Sequence, residues 1–170
     1  MDTILQNQSG KRGVNKILLA ALAVGAVVVA GAIGLIWKFQ STAQEQREQA
    51  LAGAVREGSP EFDALTRRII IENDAQNTWE SPLGIGTIMM SIAGKIKNNS
   101  DKTITGLEIR VSVLDMSGKP VKETIETIVP ERLPRLGPRQ ETKVVVRIEG
   151  FNPDDDRARV NWKVTAIKTE

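Results

Sequence analysis

The densest cluster of groups able to do chemistry is Asp154, Asp155 and Asp156, preceded by Asn152-Pro153. Carboxylates in a loop suit Ca²⁺, which takes about six to eight oxygens. One short run cannot supply that set, and the side chains of adjacent aspartates diverge. The cluster therefore reads as an Asp-rich turn, and no metal site is expected. Arg132, Arg135 and Arg139 are interleaved with Pro130, Pro134 and Pro138. Proline holds such a connection extended. The arginines along it suit a comb for an anionic partner, such as a lipid headgroup, an envelope polysaccharide or an acidic protein face, and they suit a plain exposed loop as well. Trp79, between Thr78 and Glu80 in a polar stretch, is the aromatic best placed to anchor a partner, whereas Trp162 falls in an alternating pattern and reads as core. Glycosylation sequons at Asn7 and Asn98 are of a kind frequent by chance, and Asn98 already belongs to a turn cluster.

The inventory excludes more than it offers. The chain has no Cys, His or Tyr, so it has no disulfide, no thiolate or imidazole metal site and no Ser-His or Cys-His nucleophile pair. It also lacks a nucleophile elbow and a phosphate-cradling glycine loop. Neither enzymatic activity nor a cofactor is expected. A net charge of +2, from 23 basic against 21 acidic residues, argues against nucleic acid as the main partner.

The elements that position these residues begin with residues 17–37, an apolar run without a charge, Asn, Gln or Pro. As a helix, about 21 residues rise about 31 Å, which matches the hydrocarbon core of a bilayer. The run predicts a transmembrane signal anchor over 17–38, and its length argues against the rival reading as a cleaved signal peptide. Lys11, Arg12 and Lys16 precede it, and Trp37-Lys38 mark its far edge. That asymmetry predicts a cytoplasmic basic tail at 1–16 and a periplasmic or extracytoplasmic C-terminal part at the cell (inner) membrane. Ala26, Ala30 and Gly34 recur at every fourth residue and form a small-residue face on which another helix can pack.

Residues 39–67 are rich in Gln, Glu, Ala and Arg and predict a helical stalk, ended by Gly58 and followed by a short helix that Ser59 caps and Pro60 opens. From 68 to 170 the period changes to two. Ile88, Met90, Ile92 and Ile96 share one face of a strand, as do Leu107, Ile109, Val111 and Val113 of the next. Further strands are predicted over 121–129, which reads as an edge, over 141–149 and over 157–168, with a first one near 68–74. The predicted fold is a single transmembrane α-helix with a helical stalk, followed by an all-β antiparallel immunoglobulin- or fibronectin-like sandwich.

The run from Ile92 through Gly94, Asn98 and Ser100, the strand closing on Asp115, and Gly118 after it resemble the bacterial FxLYD-type domains and their relatives among the late-embryogenesis-abundant sandwich domains. Where that family has Phe, Leu, Tyr and Asp, this chain has Val111, Val113, Leu114 and Asp115, and its later step reads Leu136-Gly137-Pro138. The likeness covers roughly residues 69–168. It implies a sandwich frequently tethered to a bacterial membrane, with no catalytic residue. The expected function is therefore a non-catalytic, single-pass interaction or scaffold protein that meets the lipid bilayer and a protein or envelope partner. The alternatives are a homo-oligomer or an accessory subunit of a membrane complex.

Overall fold

The computed structural model describes residue 25, residues 28–31, residue 45, residues 47–84 and residues 86–170. The chain divides into two compact units, Met1–Glu45 and Gln46–Glu170. In the first, the described residues are helical and exposed.

The second unit contains β1 (Val55–Arg56), α1 (Pro60–Thr66), β2 (Ile69–Asn73), β3 (Trp79–Pro82), β4 (Ile88–Asn98), β5 (Ile104–Leu114), β6 (Pro120–Val129), β7 (Glu141–Phe151) and β8 (Arg159–Thr169). All pairings are antiparallel. One sheet runs β1-β8-β5-β6. In the other, β4 is central, with β7 along one edge and β2 and β3 end to end along the other. The two sheets form a β-sandwich.

The alternation predicted from the sequence is what fills it. Ile92 and Ile96 of β4, Ile109, Val111 and Val113 of β5 and Val146 of β7 all lie between the sheets with no exposed surface. Their polar neighbours point outward, because successive side chains in a strand alternate faces. Strand β6 lies at an edge, as its mixed faces predict. Helix α1 begins where the sequence places it: the Ser59 hydroxyl accepts from Phe62 N at 3.1 Å, and Phe62 drops into the core.

Asn98 closes β4 as a buried polar hub. Its side-chain amide donates to the carbonyls of Lys102 (2.7 Å), Leu136 (3.1 Å) and Gly137 (2.9 Å), and its oxygen accepts from Ser100 N and Oγ. One side chain thus ties the β4–β5 turn to the connection that follows β6. It has no exposed surface, so the sequon at Asn98 cannot present a glycan acceptor. At the β5–β6 turn, Asp115 Oδ1 accepts from Ser117 Oγ (2.7 Å) and Lys119 N (2.9 Å), while Gly118 takes the left-handed conformation at φ 85°.

The predicted transmembrane helix and helical stalk require correction. No helix among the described residues is long and apolar enough to cross a membrane. Most of residues 17–38, including Ala26 and Gly34, lies outside the described residues, while Ala30 is helical and exposed. The stalk is not a free helical arm. Residues 47–50 are helical, Gly53 (φ 75°) then reverses the chain, and Val55–Arg56 add to β8 opposite Ile167 and Ala166. Leu51 is buried against Gly106 of β5, and Arg47 Nε reaches Glu131 Oε1 at 2.7 Å. Tertiary packing of Leu51 and strand pairing override the helical composition here.

Candidate interaction surface

On the outer face of the β4-centred sheet, the register sets three side chains in one row. Trp79 of β3 pairs with Ser91 of β4, and Ser91 pairs with Arg147 of β7. Because Ser91 lies between the core residues Met90 and Ile92, this row points away from the interior. Trp79 is 51% exposed and Arg147 is exposed, whereas Ser91 beneath them is buried and its hydroxyl has no hydrogen-bond partner.

Next to this row, Ala93 pairs with Val145, whose side chain is partly open to solvent. Beyond it Lys95 pairs with Glu72 on one side and Lys143 on the other. Two grooves open on the face. One, of about 350 Å³, lies at the edge where β7 meets β6 and is lined by Glu126, Arg132, Val145 and Arg147. The other, of about 490 Å³, is lined by Lys95 and Lys143 together with Glu72, Asn73, Asp74, Gln76 and Asn77. The hydrogen bond from Asn77 to Asp74 holds that carboxyl below its ordinary range.

Charge pairing separates the two outer faces. On the β5-centred sheet three cations pair with acids: Lys163 meets Glu57, Arg56 lies 3.6 Å from Glu108, and Arg110 lies 3.9 Å from Glu123. Thr165 Oγ1 also donates to Glu108 at 2.6 Å. On the β4-centred sheet, Lys95, Lys143 and Arg147 make no salt bridge among the described residues. Lys95 and Lys143 share their groove with Glu72 and Asp74, whereas Arg147 stands in one row with the exposed ring of Trp79.

The arginines of the proline-rich connection do not converge. Arg132 donates from Nη1 to the Val145 carbonyl (2.8 Å) and from Nη2 to Glu126 Oε2 (3.1 Å), clamping β7 to β6. Arg135 lies 3.8 Å from Glu170. Arg139, in the left-handed region at φ 60°, donates to Asn99 Oδ1 at 2.7 Å. Only Arg132 borders the same groove as Arg147, and Trp79 reaches that site through the Ser91 row. Arg147 is the residue sequence reasoning missed, because in Val144-Val145-Val146-Arg147 it reads as the ordinary polar phase of a strand.

Two aspartates of the cluster are taken up by backbone amides, one in their own loop and one in the β5–β6 turn. Asp155 Oδ2 accepts from Asn152 N and Asp156 Oδ2 from Met116 N, each at 2.8 Å. Arg157 holds the loop by a two-pronged pair with Glu80 at 3.0 and 3.1 Å. That contact is the largest cause raising the guanidinium above its ordinary value, with desolvation by burial opposing it.

No family model and no curated protein matches the chain. Among solved structures it is similar to the Northeast Structural Genomics Consortium target SoR45, at a TM-score of 0.39 and 14% identity over 62% of this chain and 86% of that one. It is also similar to the Salmonella enterica trimeric lipoprotein SadB, at a TM-score of 0.30 and 14% identity over 91% of this chain and 87% of that one. Likeness at these values carries nothing about the function or assembly of this chain.

Proposed function

We propose that the chain is a non-catalytic interaction module, held at a membrane and presenting its β-sandwich to an envelope or protein partner through the outer face of the β4-centred sheet. The observation that carries this reading is the contrast between the two sheet faces. One pairs Lys163, Arg56 and Arg110 with Glu57, Glu108 and Glu123, while the other sets the exposed indole of Trp79 in one row with Arg147, which makes no salt bridge among the described residues. Self-paired charges have little to gain from a partner, whereas an exposed aromatic ring beside a guanidinium outside any salt bridge offers an anchor and a charge to recognise.

Membrane association rests on the apolar, uncharged composition of residues 17–37. The resemblance to FxLYD-type domains supports a sandwich of the immunoglobulin kind that works beside a membrane. Its motif positions, Asn98 and Asp115, serve as turn and core organisers and not as chemistry.

A photo-crosslinking amino acid placed at Arg147 in cells tests the reading against the same group placed at Asn161 on the opposite face. Adducts from position 147, and none from 161, are expected in the membrane fraction. Equal yields from both positions, or none from either, would overturn it.

A further inference from the structure

Building on the reading that this face is the working surface, we infer that the Trp79–Ser91–Arg147 row is a binding site for an acidic saccharide. The row crosses three hydrogen-bonded strands. At about 4.8 Å per strand step, Trp79 and Arg147 stand about 10 Å apart at the backbone, the length of a disaccharide. An exposed indole offers a flat apolar surface to the C–H face of a pyranose ring. At the other end, Arg147 offers a planar fork of donors matched to a carboxylate. Between them the buried Ser91 hydroxyl has no hydrogen-bond partner, an unmet need that a sugar hydroxyl can fill.

Other occupants fit less well. A bilayer would need several apolar anchors, and the row has Trp79 with only the part-exposed Val145 beside it. An extended acidic peptide would add to a sheet edge, but Arg132 already occupies the Val145 carbonyl on the open edge of β7.

The test uses the full chain in detergent with tetragalacturonate as probe. Maltotetraose serves as the uncharged sugar and polyglutamate as the polyanion without a ring, with binding followed by calorimetry. Tetragalacturonate should bind, and both controls should bind at least about tenfold more weakly. W79A and R147Q should each weaken tetragalacturonate binding by about tenfold while melting temperatures stay within a degree or so of the parent, and K163Q on the opposite face should change nothing. Polyglutamate binding as tightly as tetragalacturonate, with W79A without effect, would show a general anion surface and overturn the saccharide assignment. So would no binding of tetragalacturonate. If position 147 still crosslinks to a partner in cells, the interaction face survives and only the ligand class falls.

Discussion

The indole of Trp162 occupies the volume that a side chain at Gly94 would need. A Cβ at Gly94 would lie 2.8 Å from Cζ2 and 3.1 Å from Cη2 of Trp162, and 3.2 Å from the Glu72 carbonyl oxygen. The ring is also pinned, since its Nε1 donates to Asn73 Oδ1 at 3.3 Å. Trp162 belongs to one sheet and Gly94 and Asn73 to the other, so the contact joins the layers. Gly94→Ala should destabilise the sandwich by about 1–3 kcal/mol through overpacking. Urea denaturation should show the lower midpoint, and an unchanged midpoint would mean the ring moves aside freely.

Asn98 should tolerate substitution still less. Removing its amide takes a hydrogen bond from each of three carbonyls, which keep only Ser100 Oγ, Ile104 N and Gln140 N as donors, and each lost bond costs about 0.5–1.5 kcal/mol. Asn98→Ala and Asn98→Asp should both lose at least about 2 kcal/mol by chemical denaturation. Aspartate keeps the shape and still accepts from Ser100, but it cannot donate to three carbonyls. If Asn98→Asp melted like the parent, the hub would be a matter of shape alone.

What was legible in the sequence follows the strength of each local signal. Strands β4, β5, β7 and β8 alternate over ten or so residues and bury one face, and Ser59-Pro60 marks α1 by capping chemistry. Strand β3 reads Trp-Glu-Ser-Pro and ends on a proline that only an edge tolerates. Strand β1 has two residues, and nothing but its pairing with β8 makes it a strand. The site divides in the same way. Trp79 stands out as an aromatic in a polar stretch, whereas Arg147 joins it only through register across two strand pairings. Proline spacing suggested an extended comb, but Leu136 is buried and bridges to Ile104, which folds the connection into the sandwich and sends its arginines apart.

Acid should unfold the domain through carboxylates held low by local hydrogen bonds. Asp115 is lowered first by Ser117 and then by the Lys119 N–H, Asp74 by Asn77, and Glu57 by Lys163. A carboxyl whose folded pKa lies below its unfolded value stabilises the fold above the unfolded value, and that stabilisation is lost as pH falls through the folded value. Melting temperature should therefore be nearly flat from neutral pH down to about 5 and fall below about 4. Asp115→Asn should melt lower at neutral pH and show a shallower acid limb. Parallel limbs for variant and parent would remove Asp115 from this account.

Arg132 should protect solubility more than stability. Its guanidinium spans Glu126 and the Val145 carbonyl on the open edge of β7. An exposed strand edge is a template for pairing with another chain. Arg132→Gln should cost no more than about 1 kcal/mol, as partly exposed ion pairs do, yet raise the rate of aggregation measured by light scattering. An aggregation rate equal to that of the parent would show that this edge is guarded by something else.

The segment before β1 should behave as a strap of the sandwich. Leu51 is 5% exposed, and a Cβ on Gly106 would lie 3.3 Å from its Cδ2 and 3.5 Å from the Ala50 carbonyl oxygen. Glycine at 106 therefore leaves the close approach that the strap uses. Leu51→Ala should cost about 2–3 kcal/mol by leaving a cavity under the strap. Gly106→Val should displace the strap and unpair Val55 from Ile167 and Arg56 from Ala166. Both variants should be cut faster by trypsin at Arg47 and Arg56 while the rest of the domain stays intact. If Leu51→Ala kept the parent's stability and cleavage rate, these residues would be a free arm after all.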